Sequence, residues 1–460
     1  MYMYYILVFL GLACERIFEQ RHGVRTPYDR PACSRIYDSI GTLVLCVASL
    51  VLLFTLRLAL LDQAAHDPGI PQSHPLPAIL AAADSPVLWS EPYRERISIT
   101  LAFVAIASSI ALYMLHRSLV ARGIKPVDTV IIVSACGIIA IEALLAPALA
   151  ADDPYLYAAY GELGLHAYAT HSLSVPCPDL QAACEQRVMP SLYGPLYLSY
   201  LHILLKNGGS IASRIELLRL SNAAWLIVSF LILYRLGVTF PTLALAALNP
   251  TLWGEYVGDA HNDIIPAALI MAAALIARRR PPLALLLSIA ASLIKLPFIL
   301  IGTLSFLSLS GRRRLGWTAA TLILSIVASL LWGGRAYIDS LRSYSQVNTL
   351  HIEQSFIAVV AIVLLALAFI SRNIRLFGAY ALPAFGGSLA HSWYVCWALP
   401  YLIWDRPKLT TFLIFLPMTS FILETPFQIP HLPIVLVCAT TAFLLALLLR
   451  ERRPVRGVIR

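Results

Sequence analysis

Two adjacent carboxylates, Asp152 and Asp153, close an apolar run from Val130 to Ala150 that holds one acid, Glu142, and is long enough to cross a bilayer. Tyr155, Tyr157, Tyr160 and Glu162 come next at alternate and helical spacings. Ionisable groups at membrane depth are costly, so the pair reads as a functional site. It also reads as the solvated end of a helix, and these residues alone leave both readings open. Further along stand His261-Asn262-Asp263, Lys295 within an apolar run, Arg335, and His391 with Trp393. Asp and His serve as general bases. Arg and Lys suit a phosphate, Arg as a bidentate fork and Lys as a point charge. Tyr and Trp faces suit a sugar ring or a lipid. A base, cations and aromatics together at a membrane surface fit group transfer from a lipid phosphate. Each element has a plainer competitor. Asn262 and Asp263 suit a helix N-cap, Lys295 suits a side chain snorkelling to the interface, and His391 with Trp393 suits an aromatic belt.

The elements that must position these groups are membrane helices. Of the 460 residues, 59% are hydrophobic and 13% charged, against about 25% charged in soluble domains. Mean hydropathy is +0.76. The expected fold is an all-α polytopic membrane protein of roughly 13 transmembrane helices, with external loops and a short interfacial helix. The net charge of +9 does not indicate nucleic acid. The basic residues cluster at the ends of apolar runs, as in Arg278-Arg279-Arg280, Arg312-Arg313-Arg314 and Arg450 to Arg460, which is the pattern that sets cytoplasmic loops. Threading the chain by that rule brings Asp152, Asp153, the His261 cluster, Lys295, Arg335 and His391 to one external face.

Local patterns add three expectations. Tyr193, Tyr197 and Tyr200 share one face of a segment too short to span, read as an aromatic helix in the external interface. The apolar run Pro282 to Ser310 has basic triplets on both flanks, so it reads as two short helices broken at Lys295-Leu296-Pro297. Residues 151–192 and 332–354 read as external loops; a Cys177–Cys184 disulfide suits the first if it is external.

Several motifs in order resemble a known family. Asp153-Pro154-Tyr155-Leu156-Tyr157-Ala158-Ala159-Tyr160-Gly161 resembles the Asp-x-Tyr-x-Tyr-Ala-Ala-x-Gly stretch of GT-C mannosyltransferases that use polyprenol-phosphate mannose. Tyr193-Gly194-Pro195-Leu196, Asn249-Pro250, His261-Asn262-Asp263, Lys295-Leu296-Pro297 and Trp393-Tyr394 with Trp397 resemble further motifs of that group. The mycobacterial α-1,6-mannosyltransferases of lipoarabinomannan synthesis are the nearest in kind. The resemblance runs from about Val127 to Trp404. It implies a GT-C-type bundle, an acid of the first catalytic external loop as base, and mannose as the sugar. By the aligned tyrosines it selects Asp153 as catalytic, with Asp152 beside it.

The resulting expectation is an inverting membrane glycosyltransferase. It moves a sugar from a polyprenyl-phosphate donor to a glycan, glycolipid or glycoprotein acceptor on the outer face of the plasma membrane. Asp153 is the base. Asp152, Tyr155, Tyr157, Tyr193, His261, Asn262, Asp263, Lys295, Arg335, His391 and Trp393 line the substrate site. No cofactor and no metal centre are assigned, an ion bridging Asp152 and Asp153 being the less favoured reading. The expected organisation is transmembrane segments over residues 1–126, a catalytic membrane core over 127–405, and a C-terminal helix pair with a basic cytoplasmic tail over 406–460. A lipid or solute transporter is the alternative; it predicts mid-membrane charges and an inverted repeat, and the chain shows no clear repeat.

Overall fold

A computed structural model describes residues 91–145, 153–169, 190–209, 211–347, 397, 399–403 and 409–417. Among these residues every regular element is helical. In chain order they are α1 (Glu91–Arg122), α2 (Pro126–Leu145), α3 (Asp153–Leu163), α4 (Pro195–Leu205) and α5 (Ile211–Arg235). Then come α6 (Phe240–Ala247), α7 (Pro250–Trp253), α8 (Ile264–Ile276), α9 (Pro281–Ser292), α10 (Phe298–Gly302), α11 (Gly311–Val347) and α12 (Leu399–Leu402). A further helical stretch covers residues 409–417.

Among the described residues, four stretches are long and apolar enough to cross a membrane: Val104–Ala121, Pro126–Leu144, Ser213–Arg235 and Gly311–Ser343. Their exposed side chains are large and apolar, including Val130, Val133 and Ile141 on α2, Ile227 and Leu231 on α5, and Ile323, Leu324 and Leu330 on α11. Such stripes would be aggregation surfaces in water and are what hydrocarbon requires. The chain is a membrane protein. The expected count of roughly 13 helices reaches beyond the described residues.

The centre of the bundle is built from shorter helices. Helix α8 packs between α5 and α9, and nine of its 13 residues are buried. Its Ala-rich faces allow close helix approach. The apolar run from Thr239 to Val257 is not one helix. Pro250 ends α6 by removing a donor, and Asn249 caps α7. The Asn249 side-chain oxygen accepts from the Thr251 N–H (3.1 Å), and its amide donates to the Leu413 carbonyl (2.8 Å). One Asn thus starts α7 and ties it to the C-terminal part of the chain. A single π turn, Gly254–Gly258, then delivers the chain to His261.

The break expected at Lys295 is present. Helix α9 stops at Ser292 and α10 starts at Phe298. The freed backbone groups are used: the Gly194 N–H donates to the Ile294 carbonyl (2.9 Å) and the Leu196 N–H to that of Leu293 (3.1 Å). A Cβ at residue 194 would overlap the Leu293 carbonyl, a backbone atom with no room to move. This gives the Tyr-Gly-Pro-Leu stretch a physical reason, because Gly194 lets the Tyr193 backbone lie against the Lys295 break. Gly194→Ala is expected to cost more than about 2 kcal/mol. Thermal unfolding of the detergent-purified variant, with size-exclusion yield, checks this.

Two expectations need correction. The 332–354 segment is not a loop over its described part, because α11 continues to Val347 through a kink at Gly334, whose φ of 62° suits glycine. Tyr337, Ser340 and Leu341 recur at helical spacing and turn inward, while Arg335, Asp339 and Arg342 face out. The polar residues suggested a loop, yet they are one face of an amphipathic helix. Likewise the segment after Asp153 is not loop at first but the 11-residue α3. Pro154 sits in its first turn, where the missing N–H costs nothing.

Candidate functional site

Asp153 opens α3, and a carboxylate there meets the positive end of the helix dipole. Its Oδ2 lies 2.9 Å from His261 Nδ1, 108 residues away in sequence, and accepts from the Tyr157 hydroxyl at 3.2 Å. An ionised carboxylate can only accept, so Nδ1 carries the proton and donates. Burial pushes the Asp153 carboxyl up, but the His261 hydrogen bond, the Lys295 charge and the Tyr157 hydroxyl together hold it below its ordinary value. The Asp153 side chain is 23% exposed and that of His261 is 0% exposed. The acid is therefore partly accessible, with its orienting partner sealed behind it.

The Tyr157 hydroxyl continues to the Tyr193 hydroxyl (3.0 Å). Burial and the Asp153 charge raise the Tyr157 phenol well above its usual value, so it remains protonated and able to donate. Lys295 Nζ lies over the Tyr193 ring at 5.7 Å and the Trp397 ring at 5.5 Å, a cation–π cradle. It donates to Asp263 Oδ1 at 2.7 Å, and Trp397 Nε1 donates to the same oxygen at 2.6 Å. Lys295 is 12% exposed and Asp263 is 0% exposed. A continuous polar chain therefore runs His261–Asp153–Tyr157–Tyr193–Lys295–Asp263–Trp397, with a carboxylate near one end and an ammonium near the other.

The local folds explain the placement. Asp263 precedes α8 but makes no cap hydrogen bond with its side chain. The expected capping role is replaced by the pair with Lys295. Before it, Ala260 is held at φ 53°, a left-handed conformation uncommon for a residue with a Cβ. Asn222 on α5 fixes the turn, its amide donating to the carbonyls of Tyr256 (2.9 Å) and His261 (3.0 Å). Arg219, one turn earlier, donates from Nε to the Gly258 carbonyl (2.9 Å). Strain of this kind persists where neighbours over-determine the backbone, commonly at functional sites. Here it aims the His261 ring at Asp153.

The aromatic helix α4 is more enclosed than expected. Its Tyr197 is buried against Tyr157, Tyr193 and Tyr200, with ring centroids 5.6, 5.3 and 6.2 Å away. The shared face read from Tyr spacing is real, but it packs on α3 rather than lying against an interface. Tyr168 ties this cluster to α11, its hydroxyl donating to the Tyr193 carbonyl (2.9 Å) and its ring 5.1 Å from that of Tyr337.

Of the expected site residues, the structure brings Asp153, Tyr157, Tyr193, His261, Asp263 and Lys295 into one network, and Asn262 is fully buried between His261 and Asp263. Arg335 does not join it: its side chain is 93% exposed and faces Asp339 of the same helix at 3.6 Å. The side-chain surroundings of Tyr155, and Asp152, His391 and Trp393 altogether, lie outside the described residues, as does the Cys177–Cys184 pair. Glu162 serves structure, pairing with Arg214 on α5 at 2.7 Å. Trp397, Asn222 and Arg219 were not among the expected site residues. The last two are polar groups inside the apolar run Ile211 to Tyr234, and that cost was the available signal.

The hydroxyl bridge predicts a measurable effect. Tyr157→Phe removes a hydrogen bond to a charged group without changing shape, a loss of about 1.5 to 3 kcal/mol. Turnover is expected to fall about 10- to 100-fold with substrate KM little changed, as separate kcat and KM measurements would show.

No curated protein and no solved structure matches the chain. Residues 59–309, more than half of the sequence, match the family model for the alpha-(1->6)-mannopyranosyltransferase N-terminal domain. That stretch carries Asp153, Tyr157, Tyr193, His261, Asp263 and Lys295. This membrane protein belongs to the alpha-(1->6)-mannopyranosyltransferase family and is a glycosyltransferase.

Proposed function

We propose that the chain is an inverting GT-C-type mannosyltransferase that takes mannose from a polyprenyl phosphate and passes it to a mannose-containing glycan or glycolipid, with Asp153 as base. The observation that carries this is the single polar chain joining Asp153 to Lys295. It puts a carboxylate and an ammonium on one wall of tyrosines, which supports reading the first as base and the second as partner of the leaving group. An acceptor hydroxyl hydrogen-bonds Asp153, and its oxygen attacks the anomeric carbon from the face opposite the phosphate. The carbon–phosphate oxygen bond breaks, and the proton passes to the Asp153 carboxylate. The lipid phosphate leaves with the electron pair, its charge met by Lys295.

The environment divides the labour. His261 holds Asp153 by Nδ1–H and Tyr157 holds it by its hydroxyl, so the carboxylate arrives ionised and oriented. Asp263 and Trp397 fix Lys295 from behind, and the Tyr193 and Trp397 rings hold its ammonium. Tyrosine rings along α3 and α4 offer flat apolar faces for a sugar ring or a prenyl tail. The basic triplets Arg278–Arg280 and Arg312–Arg314 support a cytoplasmic side opposite the site, hence an outward-facing cavity at the plasma membrane.

The test is donor choice. Purified protein in nanodiscs receives an α-1,6-linked mannose oligomer and either polyprenyl-phosphate mannose or a nucleotide-linked mannose, each radiolabelled. Transfer from the lipid donor alone, with the new linkage of inverted configuration, is expected. Transfer from the nucleotide donor alone would overturn the reading.

A further inference from the structure

Behind His261, on the side away from Asp153, lie two ionisable side chains with no part in the proposed transfer. Glu255 and Asp259 come from the π turn and its end, and His261 lies just beyond the left-handed Ala260. Each offers one donor atom, and the three atoms lie within 4.8 Å of one another. His261 Nε2 is 3.7 Å from Glu255 Oε2. All three residues are buried.

We propose that Glu255, Asp259 and His261 bind one divalent cation of the Mn2+ or Zn2+ type. Four observations carry this. Asp259 is 4% exposed, its Oδ1 has no hydrogen-bond partner, and its donor atom lies within this group. A buried carboxylate oxygen of that kind calls for a cation. Next, Nδ1–H of His261 is committed to Asp153, which in the neutral ring puts the lone pair on Nε2, toward Glu255. A ligating imidazole whose other nitrogen donates to a carboxylate is the usual arrangement around a bound metal. Third, Glu255 and Asp259 bring two carboxylate oxygens, and His261 a ring nitrogen, to one buried place. Fourth, one imidazole with two carboxylates favours Mn2+ or Zn2+ over Mg2+, whose preferred shell is all oxygen. Donor atoms up to 4.8 Å apart need only a small inward shift to reach bonds of about 2.1 to 2.4 Å.

The ion would take no part in bond making. It would fix the His261 tautomer, and so the orientation of Asp153, from the far side of the ring. The site differs from an ion shared by Asp152 and Asp153.

Binding is testable without turnover. Full-length protein in nanodiscs is stripped with EDTA and titrated with Mn2+, with Zn2+ by calorimetry as a second probe. Bound Mn2+ is examined by pulsed EPR for nitrogen coupling from imidazole. One ion per chain with an imidazole nitrogen signal is expected, and Asp259→Asn should weaken binding at least about 10-fold. No bound ion, a bound ion without nitrogen coupling, or unchanged affinity in folded Asp259→Asn would each overturn the proposal. If Asp259→Asn does not fold, the nitrogen signal of the unaltered protein decides.

Discussion

Asp153→Asn is expected to lower mannosyl transfer by about 10²- to 10⁴-fold, the range a positioned general base contributes. The amide keeps the size of the side chain and can still accept from His261 through its oxygen, so the polar chain stays largely connected. What it loses is the ability to take a proton. The effect should therefore fall on kcat, with the KM for the lipid donor nearly unchanged. Fluorescent or radiolabelled lipid-linked mannose with a fixed acceptor provides the measurement. Undiminished transfer would remove Asp153 as base. Folding is not expected to suffer, since the Asp153 side chain is partly exposed and the substitution removes a charge rather than stranding one.

Lys295 behaves differently because its partner is sealed in. Asp263 is fully buried, and its Oδ1 collects both the Lys295 ammonium and the Trp397 indole N–H. Lys295→Met leaves that carboxylate without its cation, a loss of about 3 to 5 kcal/mol in stability. Asp263→Asn with Lys295→Met removes both charges, and a neutral amide oxygen still accepts from Trp397. Most of the stability should return. Activity should not, because the cation proposed to meet the leaving phosphate is gone, and a deficit of about 10²- to 10³-fold is expected to persist. Thermal unfolding and turnover, measured on the single and double variants, separate the two roles of Lys295. A double variant with restored activity would mean that Lys295 acts through stability alone.

The sequence made some of this legible for definable reasons. Pro297 after an apolar run with basic triplets at both ends marks a helix break, and the structure puts Lys295 in that break. The costly groups Asp153, His261 and Asp263 stand out against their apolar flanks, and they meet in space although 108 and more residues separate Asp153 from the others. Other parts were hidden because their signal is tertiary. Tyr197 has the spacing of an interfacial helix, yet packing of α4 on α3 buries it. Asp263 has the type and position of an N-cap, and only the approach of Lys295 and Trp397 gives its carboxylate another use. Trp397 sits 134 residues from Asp263, and no local pattern links them. Arg335 to Arg342 reads as a charged loop when the period of the inward residues Tyr337, Ser340 and Leu341 is overlooked.

Family membership and geometry bear on different questions. The family match places residues 59–309 in the alpha-(1->6)-mannopyranosyltransferase family. The proposed roles of base, leaving-group cation and orienting histidine rest instead on the hydrogen bonds from His261 to Tyr193 and the Lys295–Tyr193 ring contact.

The most direct measurement is a structure of the protein in nanodiscs with a non-hydrolysable polyprenyl-phosphate mannose bound. The account predicts the lipid phosphate within about 4 Å of Lys295 Nζ, as ion-paired groups are, with the anomeric carbon facing Asp153 and the sugar against the Tyr157–Tyr193 wall. A phosphate bound instead at the Arg278–Arg280 or Arg312–Arg314 triplets, with the sugar remote from Asp153, would contradict it.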